Sequence, residues 1–288
     1  MIWIPLALLT AFCEATRDVL SKKSLKNLDE YILAFSRRFF ALPLLIPLLF
    51  FIPPPHFEEH FFQILLLFGS LIIFSSIFYM KALKSSDLSI TLPMLSFSPL
   101  FLLITSPLLI GQFPSLLGLI GILLIVIGAY SLNITDRHKS YFAPISALIK
   151  EPGPRYMLAV AFIWSITANF EKIGVSSSSP IFWVIAAEIL LTLCLFPLMV
   201  IKSPNFKSKI TANWKILLPI GLIGTAGYIS QMIAISLALV PYVISIKRTS
   251  ILIGIIFGYF FFKEKRIQER LAGAAIMFAG VLMITLLA

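Results

Sequence analysis

The chain is written twice. Gly121 and Gly128, with six residues between them, recur 152 positions later as Gly273 and Gly280. The same offset joins Gly69 to Gly221, Met80 to Met232, Ala82 to Ala234, Ser98 to Ser250, and Gly111-Gln112 to Lys263-Glu264. Nearer the start the offset is 150, pairing Ala11-Phe12 with Ala161-Phe162, Lys22 with Lys172 and Pro47 with Pro197. The two-residue slip falls between Pro47 and Gly69, where a loop tolerates it. Each half holds five apolar segments. An odd number of crossings forces a second copy into a membrane the other way up, and inverted repeats of this kind hold their site where the halves meet.

Composition fixes the solvent. Hydrophobic residues make up 59% of the chain and charged residues 12%, where a soluble domain carries about 25% charged residues. Apolar runs of the length that spans a bilayer as helix fall at 2–22, 30–52, 61–81, 87–110, 115–133, 155–174, 180–201, 215–236, 241–262 and 270–287. Runs such as Leu119 to Ile127 lack the polar alternation of a membrane β-barrel. The sequence therefore predicts an all-α membrane protein of ten transmembrane helices in two inverted five-helix repeats. The first repeat is residues 1–133, a linker is 134–152, and the second repeat is 153–288. The first run has no basic stretch before it and contains Glu14, Arg17 and Asp18, so it reads as a retained helix and not a cleaved signal. Cys13 and Cys194 fall within apolar runs and do not suggest a disulfide or a metal site.

The net charge of +10 does not point to nucleic acid, because its distribution follows topology. Seventeen of the 23 basic residues lie in or beside the odd-numbered loops, and one, Lys172, is assigned to an even-numbered loop. The positive-inside rule puts the odd loops in the cytoplasm and both termini outside, in an inner (plasma) membrane. Basic loops beside anionic lipid need no polyanion partner.

The remaining basic residues, Arg17, Arg37, Arg38, Lys247 and Arg248, lie inside predicted helices with the acids Glu14, Asp18 and Glu188. Each costs about 2.5–3.5 kcal/mol near a helix centre, so they should face a water-filled cavity or one another. Lys247 sits about 9 Å beyond Pro241 along its helix, Glu188 about 12 Å beyond Pro180, and Glu14 about 18 Å from Ile2. Snorkelling rescues a long Lys or Arg, but serves Glu14 and Glu188 poorly. Thr10, Glu14, Arg17, Asp18 and Ser21 share one helix face, with Glu14–Arg17 and Asp18–Lys22 as local pairs. Such a stripe either neutralises itself or lines a cavity. Lys247-Arg248 has no acid near it in sequence. Either acids on other helices pair with it, or it awaits an anion, for which arginine offers a bidentate fork and lysine a point charge. Arg37-Arg38 poses the same question, with Glu188 or the acids of the first helix as partners.

Pro43, Pro47, Pro93, Pro99, Pro107 and Pro197 sit within predicted helices and favour kinks. Pro47 and Pro197, at the repeat spacing, suggest a shared bend. Gly118, Gly121, Gly254, Gly258 and Gly273 suit close helix approach. Tyr79 and Gln231 are repeat mates with polar tips in apolar surroundings, as are the tips of Tyr228, Tyr242 and Asn169. Tyr242 and Trp183 read equally as interfacial anchors. His56-Phe57-Glu58-Glu59-His60 matches a zinc-peptidase pattern in letters only. It follows three prolines in a short loop and lacks a third ligand, so no metal site is read there.

These residues carry a resemblance. Tyr79 to Leu83 with Asp87-Leu88-Ser89 and Pro93, Ser98-Pro99, Gly111-Gln112, and Gly118 to Gly128 match an EamA repeat, as do Lys247 to Ser250, Lys263-Glu264, and Gly273 to Gly280. The chain resembles a ten-helix member of the EamA-type drug/metabolite transporter superfamily over nearly its whole length. Gln112 departs from the usual glutamate, and Glu264 keeps it. The resemblance implies a basket of helices around a central cavity lined by helices 1, 3, 4, 6, 8 and 9, and metabolite transport. Lys247-Arg248 is similar to the pair that holds phosphate in plastid triose-phosphate translocators.

The expectation is a secondary active transporter and not an enzyme. Its substrate would be a small anionic or zwitterionic metabolite: an organic acid, an amino acid or a phosphorylated compound. Lys247, Arg248, Arg37, Arg38, Tyr79 and Gln231 are the candidate substrate residues. Glu14, Arg17, Asp18 and Glu188 are candidates for proton coupling or charge pairing, because burial raises a carboxyl pKa. No cofactor is expected beyond a coupling proton or ion. The partners expected are the bilayer and the substrate, with no nucleic acid, in a monomer or homodimer. The alternatives are a proton-coupled exporter of cationic or hydrophobic drugs using Glu14 or Glu188 as counter-ion, and a non-transporting scaffold whose charges pair permanently.

Overall fold

A computed structural model describes residues 2–24, 27–53, 57–85, 92–133, 150–262 and 271–286. These residues are helical, with no strand among them. The helices are α1 (Trp3–Ser24), α2 (Glu30–Phe39), α3 (Leu42–Leu48) and α4 (Phe61–Ser85), then a 3₁₀ turn (Leu92–Phe97) leading into α5 (Ser98–Ile110) and α6 (Leu116–Asn133). The second half holds α7 (Pro152–Ser176), α8 (Pro180–Lys202), α9 (Phe206–Leu237), α10 (Val240–Lys247), α11 (Ser250–Phe262) and α12 (Leu271–Leu286). They make ten spans, because the second, fourth and ninth are each built in two pieces: α2–α3, the 3₁₀ turn with α5, and α10–α11.

Local chemistry sets these boundaries. Asp29 caps α2 by accepting from the Ile32 N–H at 3.0 Å. Its repeat mate Ser179 caps α8 by accepting from the Phe182 N–H at 3.2 Å. Each satisfies a backbone donor that the first helical turn leaves orphaned. Pro43 cannot donate to the Phe39 carbonyl, and its ring crowds that turn, so span two breaks at Phe40-Ala41. Span seven is continuous through Pro197. Pro47 and Pro197 both lie inside helices, so the break in span two belongs to Pro43 and not to the paired prolines. The halves do share another break: α5 and α11 start at the repeat mates Ser98 and Ser250. Gly111 ends α5 at φ 66°, in the left-handed region that suits glycine. Several predicted segments are longer than read: α9 begins at Phe206, not 215, α4 runs on to Ser85, not 81, and α7 runs on to Ser176.

The packing is that of an inverted repeat. The most extensive helix pairs are α6 with α12, α1 with α9, and α4 with α7; the last two are images of each other. Glycines mark the crossings. A Cβ on Gly121 would stand 2.9 Å from the Gly280 carbonyl oxygen, and one on Gly128 would stand 2.6 Å from that of Gly273. The four glycines that announce the duplication thus pair crosswise, so the two backbones touch. A Cβ on Gly69 would reach 2.6 Å from Leu190, and one on its mate Gly221 would reach 2.6 Å from Phe40. Phe40 and Leu190 are themselves mates. A Cβ on Gly254 would meet nothing within 4 Å among the described residues, and the side of Gly258 lies outside the described residues.

The outer surface is apolar. Phe50 is 86% exposed, Leu108 79% and Ile201 74%. So much aliphatic and aromatic surface is suited to lipid and not to water. Glu30–Leu48, Phe61–Tyr79, Pro152–Ser176, Pro180–Lys202 and Phe206–Leu237 are long and apolar enough to cross a membrane, and Met94–Ile110, Leu116–Ser131 and Ala272–Leu286 are shorter apolar helices. The chain is an all-α, multi-pass membrane protein.

Candidate functional site

The charges that sequence placed inside the helices converge at the junction of the two halves, from α1, α2, α8 and α10. Glu14 sits between two cations: Arg17 at 3.5 Å on its own helix and Lys247 at 3.1 Å from the end of α10. Arg17 also reaches Asp18 at 3.2 Å. Asp18 is itself 61% exposed, and the side chain of Lys22, its other expected partner, lies outside the described residues. Lys247 donates to the Gln231 side-chain oxygen at 2.9 Å, so this repeat mate of Tyr79 becomes a hub. Arg38 and Glu188 form an ion pair that joins α2 to α8.

The two adjacent cations of the ninth span have different fates. Lys247 is neutralised by an acid from another helix. Arg248, 7% exposed, has no carboxylate within ion-pair distance among the described residues. Its Nε donates to Ser98 Oγ at 3.1 Å, and its guanidinium lies over the Trp164 ring at 6.0 Å. That ring stacks on Tyr79 at 6.2 Å and donates through its Nε1 to Ser75 at 3.2 Å. The guanidinium is therefore held by an aromatic face and a hydroxyl, neither of which cancels its charge. It also caps the break between α10 and α11, its N–H bonding to the Ile244 and Ser245 carbonyls. Arg37 likewise lacks an acid within ion-pair distance among the described residues, although the charges acting on it include Asp18 as well as Arg17 and Arg38.

Three site residues escaped the sequence reading. Trp164 is the repeat mate of Glu14 and supplies the platform under Arg248. Ser98 was read only as a marker of the duplication. Glu171 is 8% exposed and accepts from the Gln231 side-chain amide at 3.0 Å. It fell near the predicted end of span six, beside a lysine assigned to a loop. The helix continues past both. Lys172 is in α7, where its ammonium binds the Ile235 carbonyl at 2.6 Å and the Ser236 carbonyl at 3.3 Å, capping the end of α9. A seven-residue spacing from Trp164 to Glu171, two turns on one face, was the available signal.

Other candidates turn out to be structural. Asn169, fully buried, bonds Thr105, Ser106 and the Ser165 carbonyl between α7 and α5. Tyr242 stacks on Trp3, fills the space at Gly118 and accepts from the Ser115 N–H at 3.0 Å. Trp183 is fully buried against Gly174, Phe61 and Phe68, so it is not an interfacial anchor. In the peptidase-like letters His60 bonds Gln63 at 3.1 Å, and His56 lies outside the described residues.

Charged and aromatic groups gathered between two inverted halves define a polytopic membrane protein of the transporter type. The chain belongs to the EamA-like transporter family, which matches residues 1–134 and again residues 152–286. It is 24% identical over 294 residues to an uncharacterized transporter of Archaeoglobus fulgidus, covering 99% of each chain. A solved crystal structure at 17% identity shares the fold, with a TM-score of 0.77 over 99% of this chain and 97% of its own.

Proposed function

We propose that this protein is a secondary active transporter of a small anionic or zwitterionic metabolite, with Arg248 as the principal group for the substrate's anion. One observation carries this reading: a buried guanidinium is held on Trp164 and Ser98 without a carboxylate in ion-pair range among the described residues. Glu14 and Asp18 act on the guanidinium only from beyond contact; a buried charge without a partner in contact is costly, and a ligand carboxylate or phosphate removes that cost with a bidentate pair. Lys247 is the second contact. It is shared with Glu14, so an arriving anion competes with that acid, and a proton taken up by Glu14 eases the exchange. Asp18 and Glu188 are the other carboxyls available for coupling. Arg37 and Arg38 set the positive potential around the site, and Tyr79 positions Trp164. The halves rock about the site to expose it alternately. The odd-numbered loops face the cytoplasm and the termini the outside of an inner membrane, following the basic residues.

Export of cationic drugs with Glu14 or Glu188 as counter-ion is disfavoured, because both are already paired with cations. A scaffold with permanently paired charges does not account for Arg248. Flux of metabolites into proteoliposomes tests the reading. Arg248→Ala is expected to lose substrate affinity or rate while remaining folded, and Lys247→Ala to lose them with a lower thermal midpoint, because it removes a partner of the buried Glu14. Unchanged flux in both variants overturns it.

A further inference from the structure

The interior charges of the candidate site do not all cancel. Glu14 is matched by Arg17 and Lys247, and Glu188 by Arg38. Glu171 is not matched: among the described residues no cation lies within ion-pair distance of it. Its partners there are neutral: the Tyr228 hydroxyl and the Gln231 side-chain amide, which donates at 3.0 Å. The other end of that amide accepts from Lys247. Gln231 thus separates a positive region, Lys247 and Arg248, from a negative one at Glu171.

The negative region contains uncommitted acceptors. Glu188 is 3% exposed; one of its oxygens takes Arg38, and the other, Oε2, is buried without a hydrogen-bond partner. The buried Tyr228 hydroxyl bonds Glu171 and keeps its oxygen lone pairs, and Glu188 is the other carboxylate acting on it. Two carboxylates and a phenolic oxygen thus lie within electrostatic reach of one another. An ammonium offers three donors, and burial makes such charge-assisted bonds strong. The two regions are also spaced along one helix. Trp164, under Arg248, and Glu171 lie two turns apart on one face of α7, about 10 Å of rise.

We infer that Glu171, Glu188 and Tyr228 form an ammonium subsite opposite the Arg248 anion subsite, so that the substrate is an amino acid and not a simple organic or phosphorylated acid. The inference rests on the proposed anion-binding role of Arg248. Ammonium and carboxylate on one small molecule satisfy the unmatched Glu171 and the unmatched Arg248 together. A plain anion leaves Glu171 unmatched and repelled. Glu171 is then a specificity residue: it selects against acids without an amine, because rejection is strongest where a buried polar group would be left without its partner.

The test uses the purified full-length protein and the standard L-amino acids, each with its deaminated acid and its decarboxylated amine. Thermal stabilisation finds the binders, and titration gives their dissociation constants. At least one amino acid is expected to bind the wild type tenfold or more tightly than its deaminated acid. In Glu171→Gln the two should bind alike. Arg248→Gln should weaken both yet retain the preference for the amine. Tyr228→Phe, which preserves the ring, should reduce that preference and serves if Glu171→Gln does not fold. The inference is overturned if no amino acid binds, if the deaminated acid binds the wild type as tightly as its parent, or if Glu171→Gln keeps the amine preference. Failure of the anion reading looks different: Arg248→Gln would leave the deaminated acid's affinity unaltered while Glu171→Gln still abolished the preference for the amine.

Discussion

Arg38 and Glu188 occupy the same position in the two repeats, 150 residues apart, and they pair with each other. A symmetric scaffold brings mates together at its pseudo-two-fold axis, and there the duplication has become complementary instead of identical. Two arginines at this point would repel, and two glutamates would do the same. The divergence of one copy into an acid and the other into a base fastens α2 to α8.

This relationship makes a specific forecast. Glu188 has 4% of its side chain exposed, so removing Arg38 strands a buried carboxylate. Breaking a buried pair from one side costs about 3–5 kcal/mol. Arg38→Leu and Glu188→Leu should each lower the thermal midpoint strongly in detergent. The exchanged protein, Arg38→Glu with Glu188→Arg, should recover most of the loss, because the axis makes the two places nearly equivalent. A double exchange no more stable than the single variants would show that the surroundings, and not the pair, fix the charges.

The glycine crossings give a second expectation. Gly128→Ala places a methyl 2.6 Å from the Gly273 carbonyl oxygen, and backbone does not yield as a flexible side chain does. Overpacking of this kind costs about 1–3 kcal/mol. Gly254→Ala meets nothing within 4 Å and should leave the thermal midpoint unchanged. Equal effects of the two substitutions would contradict the crossing of α6 and α12.

Asp29 offers a pH dependence outside the membrane spans. Burial opposes its charge. The Ser203 hydroxyl at 2.6 Å, the Ile32 N–H at 3.0 Å and Lys209 at 3.3 Å outweigh that and hold its carboxyl below the usual range. A carboxyl with a depressed folded pKa contributes its full stability above the unfolded value, about 3.9, and loses it as pH falls through the folded value. Asp29→Asn should therefore cost stability at neutral pH, and the difference from wild type should shrink as pH drops below about 4. A difference that does not vary with pH would assign the effect to the cap alone.

The architecture was legible because its signals are periodic and repeated. Apolar runs give the spans, basic loops separate them, and the glycines at 121, 128, 273 and 280 carry the inverted packing. Lys247 and Arg248 were visible as buried charges, but their different fates were not. Whether Glu14 reaches Lys247 and not Arg248 depends on the crossing of α1 with α10, which no local pattern encodes. Glu171 was passed over although it lies inside the span read at 155–174: assigning its neighbour Lys172 to the loop beyond drew attention away from a buried acid and a capping lysine. Trp164 read as one more aromatic in an apolar run. Its role comes from Arg248, which reaches it from another helix.

Anion recognition by Arg248 is tested most directly by comparing an acid with its neutral isostere. The metabolite found by thermal-stabilisation screening and its carboxamide are titrated into wild type and Arg248→Gln, with the thermal midpoint confirming the fold. The wild type should favour the acid by at least about tenfold, or about 1.4 kcal/mol, and Arg248→Gln should bind acid and carboxamide alike. An acid preference of the same size in a folded Arg248→Gln protein would contradict the assignment of the substrate's anion to Arg248.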